Sequence, residues 1–213
     1  MAEFAEPISS IEELRAVYGM PRPLPAKAKT DRLDDLCRRF IALSPFVVIS
    51  SADADGRQDC SPRGDAPGFV MVLDDRSIAI PDRPGNNKVE NLSNLVARPN
   101  IGLLFIIPGH EETLRLNGTA RIVRDPELLS RAAVEGKPPK SLIVVDVAEV
   151  YPHCGKAFRR ARLWDEGARP AKGAVPSLAS IALKMAGLGH ENLAEVEART
   201  ERSYVTDLYS DPK

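Results

Sequence analysis

The chain has 213 residues, enough to bury about 70% of its unfolded surface without a disulfide or metal staple. With 43% hydrophobic and 28% charged residues, it is of ordinary globular composition, fitting one domain with appendages or two very small domains. Its 29 Lys and Arg stand against 30 Asp and Glu, a balance that excludes a general nucleic-acid binder, which carries a clear excess of base.

The chain begins Met1-Ala2-Glu3-Phe4-Ala5-Glu6, without a basic n-region or an apolar h-region, so no secretory signal is expected. Ser9 and Ser10 each precede a glutamate at the third following position, Glu12 and Glu13. These overlapping capping boxes predict a short helix. Residues 20–25 form a Pro-rich strap that stops it. Leu33, Leu36, Phe40 and Leu43 then recur at helical spacing, and Pro45 ends that helix.

From residue 46 the period changes. Residues 46–51 read as a strand, Asp53-Ala54-Asp55-Gly56 as a hairpin turn, and residues 58–61 as the returning strand. Two short strands follow at 69–73 and 77–81, split by Asp74-Asp75. A helix over 87–97 shows Val89, Leu92, Leu95 and Val96 on one side. The run 101–107, broken by Gly102, is the longest apolar stretch and far short of the ~20 residues a membrane span needs. In 113–123, Leu114, Leu116, Ala120 and Ile122 alternate with Arg115, Asn117, Thr119 and Arg121, the pattern of a half-buried strand. Asp125-Pro126 opens another helix, and a last long strand covers 141–151. Ser177 is expected to cap a helix bearing Leu178, Ile181 and Met185, with further structure over 191–208. Six or seven strands joined by short turns indicate an antiparallel barrel or sandwich.

Three segments carry chemistry. In residues 80–88 a strand ends in a tight turn and a helix is expected near Asn87. Unpaired N–H groups at such a start attract phosphate. Asn87 adds an amide donor and Lys88 a point charge, and Gly85 permits close backbone approach. The alternative is an ordinary capped surface helix. In the second segment, Ser61 and Arg63 stand at another strand end. Arg63 could grip a phosphate bidentately, or simply pair with Asp65. Arg115, on the polar face of its strand, needs an anion only where that face is covered. The third segment, 151–164, holds Trp164, the single tryptophan, beside Lys156, Arg159, Arg160 and Arg162. This is either a solvated basic helix or a cover for an aromatic ligand. His153-Cys154 lacks clustered partners, so no metal site is expected. Cys37, Cys60 and Cys154 form no CxxC pair, which predicts neither disulfides nor thiolate zinc and suits the reducing cytoplasm.

Together these residues resemble the pyridoxamine 5′-phosphate oxidase-like FMN-binding split-barrel superfamily. The resemblance rests on Ser61-Pro62-Arg63-Gly64, the strand-turn-helix 78–88 with Asn86-Asn87-Lys88, the continuation through Asn91-Leu92 and 98–105, and Leu114-Arg115-Leu116-Asn117-Gly118-Thr119-Ala120. Residues 154–164 resemble the barrel end of a branch of uncharacterised FMN-dependent proteins. The resemblance covers about residues 30 to 165. It implies a mainly β (β+α) fold, a six-stranded antiparallel split β-barrel with helical insertions and N- and C-terminal helical arms. It implies a homodimer with FMN at the interface. Arg63 and Lys88 would hold the phosphate, with Ser61 and Asn87 nearby. The backbone of Ile80, Pro81, Asp82 and Arg83 would line the isoalloxazine edge. Arg115, Lys156 and Trp164 would approach the flavin, from the same subunit or from the second. True pyridoxamine phosphate oxidases carry an Arg-x-His pair near the C-terminus, and residues 207–213 here hold none, so vitamin B6 oxidation is not expected.

The expected organisation is a helical arm over 1–40, an FMN-binding barrel over 41–165 and a linker with a second helical arm over 166–213. The expected function is an FMN-dependent oxidoreductase acting on an unassigned small molecule with an unassigned electron donor, in the cytoplasm, without nucleic-acid or membrane partners. The flavin carries the redox chemistry, and no catalytic side chain is assigned. A flavin carrier, a redox sensor or a haem binder using His110 or His153 is the alternative on the same barrel. Another is an interaction protein recruiting partners through its acidic ends. Residues 1–20 carry four acids and one base, and residues 189–213 six acids and three bases, leaving the middle with 25 bases against 20 acids.

Overall fold

The computed structural model describes residues 5–210. The ends of both expected arms, residues 1–4 and 211–213, lie outside that range, as does the last part of the segment expected to lack an Arg-x-His pair. Helix α1 (Ile11–Tyr18) is capped by Ser10, whose Oγ accepts from the Glu13 N–H, while Glu13 Oε2 accepts from the Ser9 N–H at 2.8 Å; of the two overlapping boxes, the Ser10–Glu13 one forms the cap. Gly19, at φ 67°, closes it. The expected Pro-rich strap instead winds into one turn, α2 (Pro23–Lys27), because proline fits the first turn of a helix.

Helix α3 (Asp35–Leu43) is capped by Asp34. Its buried side is the expected one only in part, Phe40 packing against the core as its spacing predicts. Ile41 is fully buried, whereas Leu36 and Leu43 are exposed. Leu33, just before the helix, joins the core. Helical spacing alone cannot choose between two apolar faces; the neighbouring sheet does.

Seven strands follow: β1 (Phe46–Ala52), β2 (Gln58–Gly64), β3 (Met71–Val72), β4 (Ser77–Pro81), β5 (Asn100–Ile106), β6 (Thr113–Val123) and β7 (Leu142–His153). They form one antiparallel sheet in the order β2-β1-β5-β6-β7-β4-β3. A six-stranded barrel is expected from the sequence; the sheet has seven strands and is open, since the end strands β2 and β3 do not pair. The seventh is the two-residue β3, all that forms of the run expected over 69–73. The sheet is nevertheless rolled. Arg63 at the end of β2 comes within 3.8 Å of Asp82, which follows β4, although four strands separate β2 from β4 in the sheet.

Alternation dictates which side chains face inward. Val47 and Ile49, Leu103 and Phe105, Leu114 and Leu116, and Ile143 and Val145 meet in one apolar cluster, joined by Ile41 and by Leu95 of α4 (Glu90–Ala97). Burying each such side chain stabilises the fold by about 1.5–3 kcal/mol. On the other face, α5 (Pro126–Arg131), with proline at its first position, lays Leu128 and Leu129 over Ala79, Leu142 and Val144. After β7 come α6 (Lys156–Ala161), α7 (Leu178–Met185) and α8 (Leu193–Thr206), with Ser177 capping α7 as expected. No helix among the described residues is long and apolar enough to cross a membrane.

Candidate functional site

The rolled sheet leaves a cleft of ≈ 450 Å³ between the end of β2 and the segment running from β4 into α4, within the size range of small-ligand sites. Residues 61–64 form one side, 81–92 the other, and Lys140 stands at the edge. The structure therefore brings Ser61, Arg63, Pro81, Asp82, Arg83, Asn87 and Lys88 together. Ile80 is different: its side chain is fully buried in the main core, and it is not among the residues that line the cleft.

Arg63 is held in place. Its guanidinium donates to Ser61 Oγ and to the Pro62 carbonyl at 3.0 Å, beside Asp82. It does not pair with Asp65. That carboxylate belongs to Arg83, whose Nε donates to Asp65 Oδ2 at 2.6 Å while Nη1 donates to the Ala132 carbonyl at 2.8 Å. Arg83 is thus committed to the wall. Burial pushes the Asp82 carboxyl above its ordinary value, against the pull of Arg63 and Lys140.

The helix expected at Asn87 begins three residues later. Asn87 and Val89 both adopt left-handed backbone, at φ 55° and 53°, and α4 starts at Glu90 with no side-chain cap. A kinked turn thus precedes the uncapped helix start. The expected apolar face is met in part: Leu95 is buried and Leu92 packs against the core, but Val89 and Val96 are exposed and Asn91 is buried beside them. Among the described residues, no hydrogen bond or ion pair engages the Lys88 ammonium; its backbone N–H donates to Asn86 Oδ1 at 3.1 Å.

Three expected residues lie elsewhere in this chain. Arg115 stacks over the Tyr151 ring, at 5.1 Å, on the polar face of β6. Lys156 opens α6 and is exposed. Trp164 Nε1 donates to the His110 carbonyl at 2.8 Å, with its ring 5.8 Å from Phe158. Conversely, Asn91 and Lys140 line the cleft without having been singled out as site residues. Asn91 Nδ2 donates to Ser51 Oγ at 2.8 Å and to Asp59 Oδ2 at 3.0 Å, tying α4 to β1 and β2. Its signals in the sequence are a polar residue amid the apolar positions of that helix and its place in the Asn91-Leu92 continuation of the resemblance. No group of three or more His, Cys, Asp or Glu side chains that could hold a metal ion occurs among the described residues.

An antiparallel sheet rolled around one core, with a basic cleft where its ends approach, defines the class of protein. The sequence profile of the pyridoxamine 5′-phosphate oxidase family matches residues 33–154, more than half of the chain, and the chain belongs to that family. No curated protein matches it. Among solved structures it is similar to HupZ of Group A Streptococcus, at 16% identity and TM-score 0.45, over 55% of this chain and 90% of that one. It is similar to General Stress Protein 26 of Bacillus anthracis, at 15% identity and TM-score 0.41, over 54% and 88% of the two chains. It is also similar to the heme storage protein HutZ of Vibrio cholerae, at 12% identity and TM-score 0.40, over 58% and 97%.

Proposed function

We propose that the chain is an FMN-dependent oxidoreductase. The observation that carries this is the convergence of Arg63 and Lys88 on one cleft, with Ser61 and Asn87 beside them. The donor set fits a phosphomonoester: a guanidinium already oriented by its neighbours, an ammonium with no partner among the described residues, and an uncapped helix start. Arg63 and Lys88 hold the phosphate, and Ser61 and Asn87 donate hydrogen bonds at its edge. The backbone of Pro81, Asp82 and Arg83 borders the cleft and is the part of this strand end offered to a ring edge, since the Ile80 side chain is spent on the core and the Arg83 side chain on Asp65. When bound, FMN supplies hydride or electron transfer; the protein binds and orients it.

Arg115, Lys156 and Trp164 do not reach the cleft of their own chain. In this reading the working unit is a homodimer, and they act on the flavin of the second copy. The cleft is lined by no histidine or cysteine among the described residues, and His110 turns to Glu112, 3.4 Å away. That favours flavin over haem.

The absorption spectrum of the purified protein tests the reading. Two flavin bands, or their appearance on adding FMN, are expected, together with a two-chain mass by light scattering. Protein that is colourless and takes up no FMN overturns it. A Soret band in place of flavin bands would install the haem reading.

A further inference from the structure

A second cleft, also of ≈ 450 Å³, opens across the rim of the first; Gly64 and residues 83–86 wall both. Its far wall is the C-terminal arm: Leu178 at the head of α7, then Tyr204, Asp207, Leu208 and Tyr209 along and after α8. Neither apolar core cluster of the described residues takes in α7 or α8. What ties the arm to the rim is polar. The Tyr209 hydroxyl donates to Asp65 Oδ1 at 2.7 Å, Arg83 Nε donates to Asp65 Oδ2 at 2.6 Å, and the Arg83 guanidinium lies 5.6 Å from the centre of the Tyr209 ring. The Asp65 side chain is only 2% exposed. Enclosed so far from water, a carboxylate must be held by donors, and Tyr209, Arg83 and the Ala66 N–H supply them.

The two clefts differ in charge. The first is lined by Arg63, Arg83, Lys88 and Lys140 against Asp59, Asp82 and Glu90. The charged residues lining the second are Arg83, which is paired with Asp65, and Asp207, whose Oδ1 accepts from the Thr206 hydroxyl at 2.8 Å. An anion is disfavoured there, while the tyrosine and leucine side chains suit a flat apolar body.

We infer that the second cleft seats the reaction's other ligand, an uncharged or cationic molecule with an aromatic body, and that the Tyr209–Asp65–Arg83 cluster holds the arm in place to form that seat. It is the flavin reading that makes this ligand a reaction partner; the cleft and its charge stand without it.

Equilibrium dialysis of the full chain at neutral pH against 2-naphthol and against naphthalene-2-sulfonate provides the test. The uncharged probe should bind about tenfold more tightly than the anion, the scale of one misplaced charge. Tyr204→Ala and Tyr209→Phe should each weaken 2-naphthol binding about fivefold or more, as expected for a lost aromatic contact or a lost hydrogen bond to a charged group. FMN affinity should stay within about twofold in both, and Lys88→Ala should leave 2-naphthol binding unchanged. Tyr209→Phe keeps the ring and Tyr204 is exposed, so both variants should retain the wild-type circular dichroism. Failure of wild type to bind 2-naphthol, equal binding of the sulfonate, or unchanged binding in both tyrosine variants overturns the inference. If 2-naphthol binds as expected while FMN does not bind at all, the flavin reading falls and the second cleft remains.

Discussion

Arg63 and Lys88 reach the same cleft in different states: the first is braced by Ser61 and the Pro62 carbonyl, the second has no partner among the described residues. Each is assigned to the phosphate, so the combined Arg63→Ala and Lys88→Ala change should weaken FMN binding about a hundredfold or more, from two lost charge-assisted contacts. Riboflavin has no phosphate, and its affinity should fall much less. Fluorescence titration with both ligands decides this, and equal losses would contradict the assignment. Cysteine reactivity gives a second prediction at this scale. Burial, with Asp34 adding to it, pushes the Cys37 thiol up to about 11, whereas Cys60 and Cys154 are exposed. The thiolate is the reacting species. Ellman's reagent at pH 8 should therefore modify two thiols quickly and the third slowly, and the slow one should vanish in Cys37→Ser.

The pairing of β6 with β7 hinges on one glycine. The register shifts between Asn117 and Gly118, and a Cβ on Gly118 would lie 2.1 Å from the Asp146 carbonyl oxygen. Backbone cannot yield as a flexible side chain does. Gly118→Ala should cost about 3 kcal/mol and lower the melting temperature by roughly 5–10 °C. Gly85→Ala, whose Cβ meets nothing within 4 Å, should melt like wild type. What the sequence revealed at this scale was chemistry local to a few residues: the serine caps of α1 and α7, the turn at Asp53–Gly56, and the alternation of β6. The inward faces of α3 and α4 were legible only in part: Phe40, Leu92 and Leu95 pack inward as their spacing predicts, whereas Leu36 and Val96 do not, because the sheet selects which apolar positions it covers. The site divides in the same way. Ser61, Arg63 and Lys88 each stood out beside a strand end, but their meeting depends on a rolled order in which four strands lie between β2 and β4. Asn91 went unrecognised because its role is to join α4 to β1 and β2 through Ser51 and Asp59.

At the scale of the whole molecule, the near-neutral total of −1 conceals a basic middle and acidic ends, and the C-terminal end is fastened by an ion cluster rather than by the core. Tyr209 and Asp65 are 144 residues apart in sequence. This fastening should respond to pH in a definite direction. Burial alone would raise the Asp65 carboxyl, but hydrogen bonds from Tyr209, the Ala66 N–H and Arg83 outweigh it and hold the carboxyl below its ordinary value. A lowered folded-state value means that the stabilisation is full above the unfolded carboxylate pKa, about 4, and is lost as pH falls through the lower folded value. Tyr209 behaves in the opposite sense. Its hydroxyl is raised by the hydrogen bond to Asp65, with burial and the Asp65 charge adding to it. Its contribution is therefore intact below the unfolded tyrosine pKa, about 10, and is lost as pH rises through the folded value. Between those limits the arm stays fastened. Urea denaturation of wild type and Asp65→Asn should show a stability gap that is constant from about pH 6 to pH 8 and closes as the pH falls below about 4. A gap that persists undiminished at the lowest pH where wild type still folds would show that the Asp65 charge does not hold the arm.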